Sequence, residues 1–169
     1  MTDDLQLRRK WTFRLPGEVH RQLVFSKKAW ESNEHVFLKA FLWALYVDEY
    51  PDLLIERSIG DRYKPDVFAA DAAGQPAFWG EAGQTRAAKV ESILKRFAGL
   101  HFVIAKWNHQ MPLLIQQYER AVAKSRGLRR GARVEILNFP DDSAERFIQA
   151  DGTIQIARDD LEVYQFTPE

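Results

Sequence analysis

Residues 101–107, HFVIAKW, are a continuous apolar run. A strand of this kind is buried on both faces, so the sheet that holds it needs a layer above and a layer below. Helical segments are present to supply them. SNEHVFLKAFLWALYVDEY repeats apolar residues at Phe37, Phe41, Ala44 and Leu45, with Val36, Ala40, Trp43 and Val47 widening the face. That period predicts a helix over 33–48, stopped by Pro51. TRAAKVESILKRFAG predicts a second helix over 86–98, with Thr85 as N-cap and Gly99 just past its end. NHQMPLLIQQYERAVAKSRG predicts a third, ending at Gly127.

Strand signals fill the gaps between them. KWTFRL and RQLVFSKK read as two strands joined by PGEVH, and LLIERS and ARVEILNF as single strands. PDVFAAD and PAFWGEA flank the turn AAGQ and read as a hairpin. After the acidic turn PDDSAE, TIQIARD and LEVYQF form an expected closing pair. The order is (ββ)αβββαβαβ(ββ), an α+β fold with a mixed central sheet flanked by helices. At 169 residues it is expected to be one domain over 1–169.

No apolar run reaches the roughly 18 residues that cross a bilayer. MTDDLQLRRK has no apolar segment of the secretory kind, and there is no cysteine for disulfides or thiolate zinc. A cytoplasmic location is the expectation. The net charge of zero hides blocks: +4 over residues 1–30, −6 over 31–85, +9 over 86–133 and −7 over 134–169. The basic block points to an anionic partner, nucleic acid foremost. A solvated helix surface answering the acidic blocks is the other reading.

The hairpin carries the chemistry. With the turn centred on Ala73 and Gly74, residue i faces 147 minus i, and Asp66 faces Glu81. Directly opposed side chains have Cβ atoms about 4.5–5.5 Å apart, where like charges are destabilising. Two such carboxylates need a proton or a cation between them. With oxygen ligands alone, magnesium or manganese is the natural cation. Trp79 and Gly83 share the Glu81 face. The plainer alternative leaves Asp66 capping a strand end and Glu81 on an exposed edge. Glu34 is a third acid, with Phe37, Leu38, Phe41 and Leu45 on its helical stripe. A charge there is paired or lies at a cavity rim, or else is a first-turn acid behind the N-cap Ser32.

Glu34, then Pro65–Asp66, then Glu81–Ala82–Gly83, in that order of elements, resembles the PD-(D/E)XK nuclease superfamily, whose core is restriction-endonuclease-like. More narrowly the chain resembles the YaeQ family, a largely uncharacterised bacterial branch. ESNEHVFLKAFLWALYVDE carries the Glu-x-x-Glu opening and the Leu-x-x-x-x-Trp-x-x-Tyr-x-Asp-Glu tail of that family, and FWGEAG its Trp-x-Glu-x-Gly strand. The similarity runs from RQLVFSKK through the C-terminal strands and is weakest in LLIERSIGDRYK. The resemblance implies a divalent metal, Mg2+ or Mn2+, on Asp66, Glu81 and the carbonyl of Ala82, with Glu34 reaching the same cavity. It implies phosphodiester hydrolysis by metal-activated water, with the basic block holding the backbone.

The superfamily lysine belongs two residues after the glutamate, where this chain has Gly83. Three residues are candidates to replace it: Lys89, one turn into the next helix, then Gln84 as a water-orienting group, then Lys64. The histidines His20, His35, His101 and His109 show no ligand spacing, and surface or capping roles are expected. Two functions follow. One is a metal-dependent nuclease, DNA favoured over RNA. The other is a binding or regulatory module that keeps the acids without turnover.

Overall fold

A computed structural model describes residues 10–17 and 21–168. The apolar run becomes β6 (His101–Trp107), at the middle of a six-stranded mixed sheet. Its alternate residues serve two layers: Phe102 and Ile104 face one way, Val103 and Ala105 the other, and all four are buried. The sheet also contains β3 (Leu54–Ile55), β4 (Val67–Ala70), β5 (Pro76–Ala82), β7 (Arg133–Phe139) and β8 (Glu162–Gln165). Their spatial order is β3-β4-β5-β6-β7-β8, the order of the chain. β6 runs parallel to β5 and β7, and the other pairings are antiparallel. β1 (Lys10–Arg14) and β2 (Gln22–Ser26) make a separate antiparallel pair.

Helix α1 (Asn33–Tyr46) covers one face, together with β1 and β2. Ser32 caps it, its hydroxyl accepting from the His35 amide at 3.1 Å. α1 lies close against the sheet at Gly80, where a Cβ would meet Leu42 Cδ1 and Val67 Cβ at 3.2 Å. Helices α2 (Ala87–Arg96) and α3 (Met111–Ser125) cover the other face. They bury Val90, Ile93, Leu94, Leu114, Tyr118 and Val122 against Trp79, Phe102, Ile104 and Ile136. Each such fully buried side chain stabilises by about 1.5–3 kcal/mol relative to exposure. Among the described residues no helix is long and apolar enough to cross a membrane.

Several elements differ from the expectation. α1 ends at Tyr46 rather than 48, capped by the Val47 amide bonding to the Trp43 carbonyl, well before Pro51. α2 begins behind Arg86, not Thr85, and has no side-chain cap. α3 closes on Arg126 in the left-handed conformation, not on Gly127. Gly127 serves contact instead, with Leu94 Cβ 3.2 Å from where its own Cβ would be. LLIERS pairs over only two residues, because Glu56 adopts φ 54° and turns its carboxylate to Lys39. The closing pair does not form. β8 joins β7, while Thr153 and Ile154 make isolated bridges to Arg14 and Ile148. Arg158, in a 3-10 turn (Arg158–Asp160), reaches Glu135. The acidic turn opens a short helix, α4 (Ser143–Phe147). His20 and the middle of PGEVH lie outside the described residues.

Candidate active site

The hairpin keeps the expected register through a compensation. Asp71 builds the turn: its Oδ1 accepts from the amides of Ala73 and Gln75 at 2.9 Å, and Gly74 takes φ 80°. That turn pairs Ala70 with Pro76, and a bulge between Ala69 and Ala70 shifts the ladder to Ala69–Phe78, Phe68–Trp79 and Val67–Gly80. One residue further, the same register sets Asp66 across from Glu81. Glu81 shares a sheet face with Trp79, under α2, while Ala82 faces α1.

Asp66 Oδ2 accepts the Ala82 amide at 2.8 Å, which ties the end of β4 to the end of β5. Its Oδ1 lies 3.6 Å from His35 Nε2. Glu81 is 3% exposed. Its Oε1 accepts from Trp79 Nε1 at 2.7 Å and pairs with Lys89 Nζ at 2.7 Å. Burial pushes the Glu81 carboxyl above the usual range and the charge of Asp66 pushes it further, against Lys89 and Trp79. His35 is held protonated above its usual range by Asp66, against burial, with Glu31 adding to the effect. The chain of charges continues inward. Glu31 Oε2 is 3.5 Å from His35 Nδ1 and 3.0 Å from Lys39 Nζ, and fully buried Lys39 also pairs with Glu56.

The candidates separate. Asp66, Glu81 and Lys89 are brought together, with Ala82 at the hinge between the two acids. Glu34 is exposed and makes no hydrogen bond or ion pair among the described residues. Its place near Asp66 is taken by His35, one residue further round the helix. α1 is buried on most of its circumference, so an apolar stripe did not select one residue of its first turn. Gln84 and Lys64 are exposed and make no such contact either. Gly83 has φ 83°, a backbone that side-chain-bearing residues rarely adopt, so the strand's own geometry disfavours a lysine there.

Two residues escaped the sequence reading. The signal for His35 was the spacing Glu31, His35, Lys39, three ionisable residues one turn apart. For Lys106 it was a single charge inside the apolar run of β6. Glu81 pairs with Ile104, so Lys106 stands level with Gly83 on the neighbouring strand and on the same face. Lys106 is 5% exposed and its Nζ lies 5.6 Å from the ring centre of Tyr118. Burial pulls its ammonium below the usual lysine range, against the charge of Glu81.

His101 is not a surface histidine. It is buried at the opposite end of β6, with Nε2 2.9 Å from Glu135 Oε2 and Nδ1 2.9 Å from the Tyr50 hydroxyl. Glu135 is fully buried and receives Tyr46 at 2.9 Å, Arg158 at 2.8 and 3.2 Å and Arg133 at 3.2 Å. Burial alone would raise this carboxyl, but His101, Arg158 and Tyr46 outweigh it and hold it well below the usual range. In the basic block, Lys89, Lys95, Arg96 and Arg133 pair with carboxylates. Arg86, Arg120, Lys124, Arg126 and Arg129 are exposed without such pairs among the described residues.

Among the described residues no three His, Asp or Glu side chains converge as a metal cluster. What the site offers a cation is Glu81 Oε2, which has no hydrogen-bond donor, and Asp66 Oδ1, which faces His35 Nε2 at 3.6 Å, plus main-chain oxygen. That donor set is all oxygen and doubly anionic. It suits a cation such as Mg2+, which keeps several waters and takes few protein ligands.

The fold has solved counterparts. The YaeQ protein from Pseudomonas syringae matches with a TM-score of 0.63 and 14% identity, over 95% of this chain and 96% of that one. The YaeQ protein from Xanthomonas axonopodis pv. citri matches with a TM-score of 0.57 and 19% identity, over 82% of this chain and 76% of that one. At these identities the likeness is one of fold. No family model and no curated protein matches the sequence.

Proposed function

We propose that this chain is a YaeQ-like member of the PD-(D/E)XK superfamily and a metal-dependent nuclease that hydrolyses phosphodiester bonds, DNA favoured over RNA. The observation that carries the reading is the meeting of Asp66, Glu81 and Lys89. Two acids stand at the opposed ends of paired strands, the charge of one bearing on the other, and an ammonium from the next helix lies 2.7 Å from one of them. Asp66 and Glu81, with the carbonyl of Ala82, would hold Mg2+ or Mn2+, which supplies a Lewis acid for the phosphate and a more acidic water. Asp66 is oriented by the Ala82 amide and Glu81 by Trp79. Lys89 pulls the Glu81 carboxyl down against its burial and would place a donor where a phosphate oxygen or a water would lie. The unpaired cations of residues 86–133 would hold the backbone of the nucleic acid.

A specific observation favours a second reading. The motif lysine is absent at Gly83, and Lys89 already engages Glu81, so the same site would also serve a module that binds nucleic acid without cutting it. Cleavage of a broad panel of DNA and RNA with Mn2+, against the same panel with chelator, separates the two. The nuclease reading expects metal-dependent products, lost in Asp66→Ala and Glu81→Ala and much reduced in Lys89→Ala. Retained binding with no product from any substrate would leave the binding module.

A further inference from the structure

Lysine is almost never fully buried unless it is paired, and an unpaired buried charge is costly. The other buried cations here obey that rule. Lys39 has Glu31 and Glu56, and half-buried Arg158 has Glu135. Lys106 is the exception: it is 5% exposed and makes no hydrogen bond or ion pair among the described residues. The carboxylate whose charge bears on it is Glu81, and the nearer demand on Glu81 is met by Lys89 and Trp79. The fully enclosed side-chain polar atom without a partner among the described residues is Thr85 Oγ1. Lys106 Nζ is not enclosed in that way, so its small exposed part includes the ammonium.

These two orphans share a neighbour. Tyr118 donates its hydroxyl to the Thr85 carbonyl at 2.7 Å, and its ring lies 5.6 Å from Lys106 Nζ. Thr85 is followed by Arg86, the N-cap of α2, which makes no side-chain cap hydrogen bond. The Thr85 hydroxyl is enclosed and out of reach of a ligand, whereas an ammonium with an exposed part is complementary to a phosphate. The Gly83 amide donates to the Ala105 carbonyl at 3.0 Å, so the ladder carries on and Lys106 stands beside the position that Gly83 leaves bare.

We infer that Lys106 seats a phosphate of a bound nucleic-acid chain beside Glu81. Lys106 supplies from β6 the side chain that β5, turning at Gly83, does not carry. The charge is kept unpaired within the protein because its partner arrives with the substrate. This rests on the proposed reading of the site as one for nucleic acid.

The test uses Lys106→Met, which keeps the buried stem and removes the charge, and Lys10→Met, which removes an exposed charge on β1, outside the basic block. Binding of a short labelled single-stranded DNA is measured in chelator across a salt series. Lys106→Met is expected to bind about tenfold more weakly, with a salt slope smaller by about one unit, and Lys10→Met to bind as the parent does. The melting temperature of Lys106→Met should match or exceed that of the parent, since an uncompensated charge has gone. Unchanged affinity in Lys106→Met overturns the inference, as does a parent that binds no DNA at low salt. A melting temperature lowered by both Lys106→Met and Lys106→Gln makes Lys106 a structural cation and overturns it too. Cleavage by the parent that survives Lys106→Met removes this inference and leaves the proposed nuclease intact. Affinity lost through Lys106→Met, with no cleavage by the parent, keeps the inference and removes turnover.

Discussion

Glu135 and Glu81 are both buried acids on the central sheet, on the strands that flank β6, and their surroundings drive them in opposite directions. Glu135 receives two guanidinium groups, a tyrosine and a histidine, and is held more acidic than a free glutamate. Glu81 has an indole and one ammonium, faces another carboxylate, and is held less acidic. Burial is similar, so the difference lies in how completely the charge is answered. A fully answered network fixes one arrangement of strands and helices. An incompletely answered one, with a second acid across the hairpin, is the kind of environment that chemistry uses.

The largest expected effect breaks the answered side. Glu135→Ala leaves Arg158, Tyr46 and His101 without their acceptor and should cost about 3–5 kcal/mol, read by urea unfolding at neutral pH. Glu81→Ala costing as much would make both acids structural. The next effect belongs to Glu81. Manganese at a hundredfold excess over its dissociation constant should stabilise the parent by about 2.7 kcal/mol. Asp66→Asn and Glu81→Gln should not gain that increment in thermal melts. Equal shifts in all three proteins would place the cation elsewhere.

Smaller effects come from pH, and the two acids should show opposite signs. Glu135 has a depressed carboxyl, so it contributes stability that is present above the ordinary value of 4.5 and is lost as the pH falls below it. Glu135→Gln should flatten the acid limb of the stability curve. Glu81 has a raised carboxyl, so its contribution is complete below 4.5 and is lost as the pH rises through the raised value. In chelator at neutral pH, Glu81→Gln should therefore be at least as stable as the parent. A Glu81→Gln protein that melts lower throughout would show that Lys89 and Trp79 answer the charge after all. The smallest effect is at Glu34, which is exposed. Glu34→Gln should change stability by less than about 0.5 kcal/mol and leave the manganese shift unchanged.

The sequence showed the hairpin, its register and its acids because a period of two is a strong constraint, and a one-residue slip would have turned Glu81 to the other face. The buried character of β6 was legible for the same reason. What it hid were features made by long-range contact. Glu135 reads as one polar residue in ARVEILNF, and nothing local says that Arg158 comes back to it from beyond β7. His35 and Lys106 were obscured by their neighbours, one on a helix buried nearly all round, the other inside an apolar run. The two-residue β3 and the missing closing pair followed from side chains, Glu56 and Arg158, that turn the chain toward buried partners.

The strands of the large sheet lie in space in the order in which they occur in the chain. No strand has to be threaded between two that are already paired, so the sheet can grow by addition at a single edge. For a chain that emerges from its N-terminus, the open edge at each stage is the one the next strand covers. The strands that carry Asp66 and Glu81 are complete in the chain by residue 82, while Lys89 and Lys106 are still to come. The acidic half of the site is laid down first, and the cations that balance it arrive with α2 and β6.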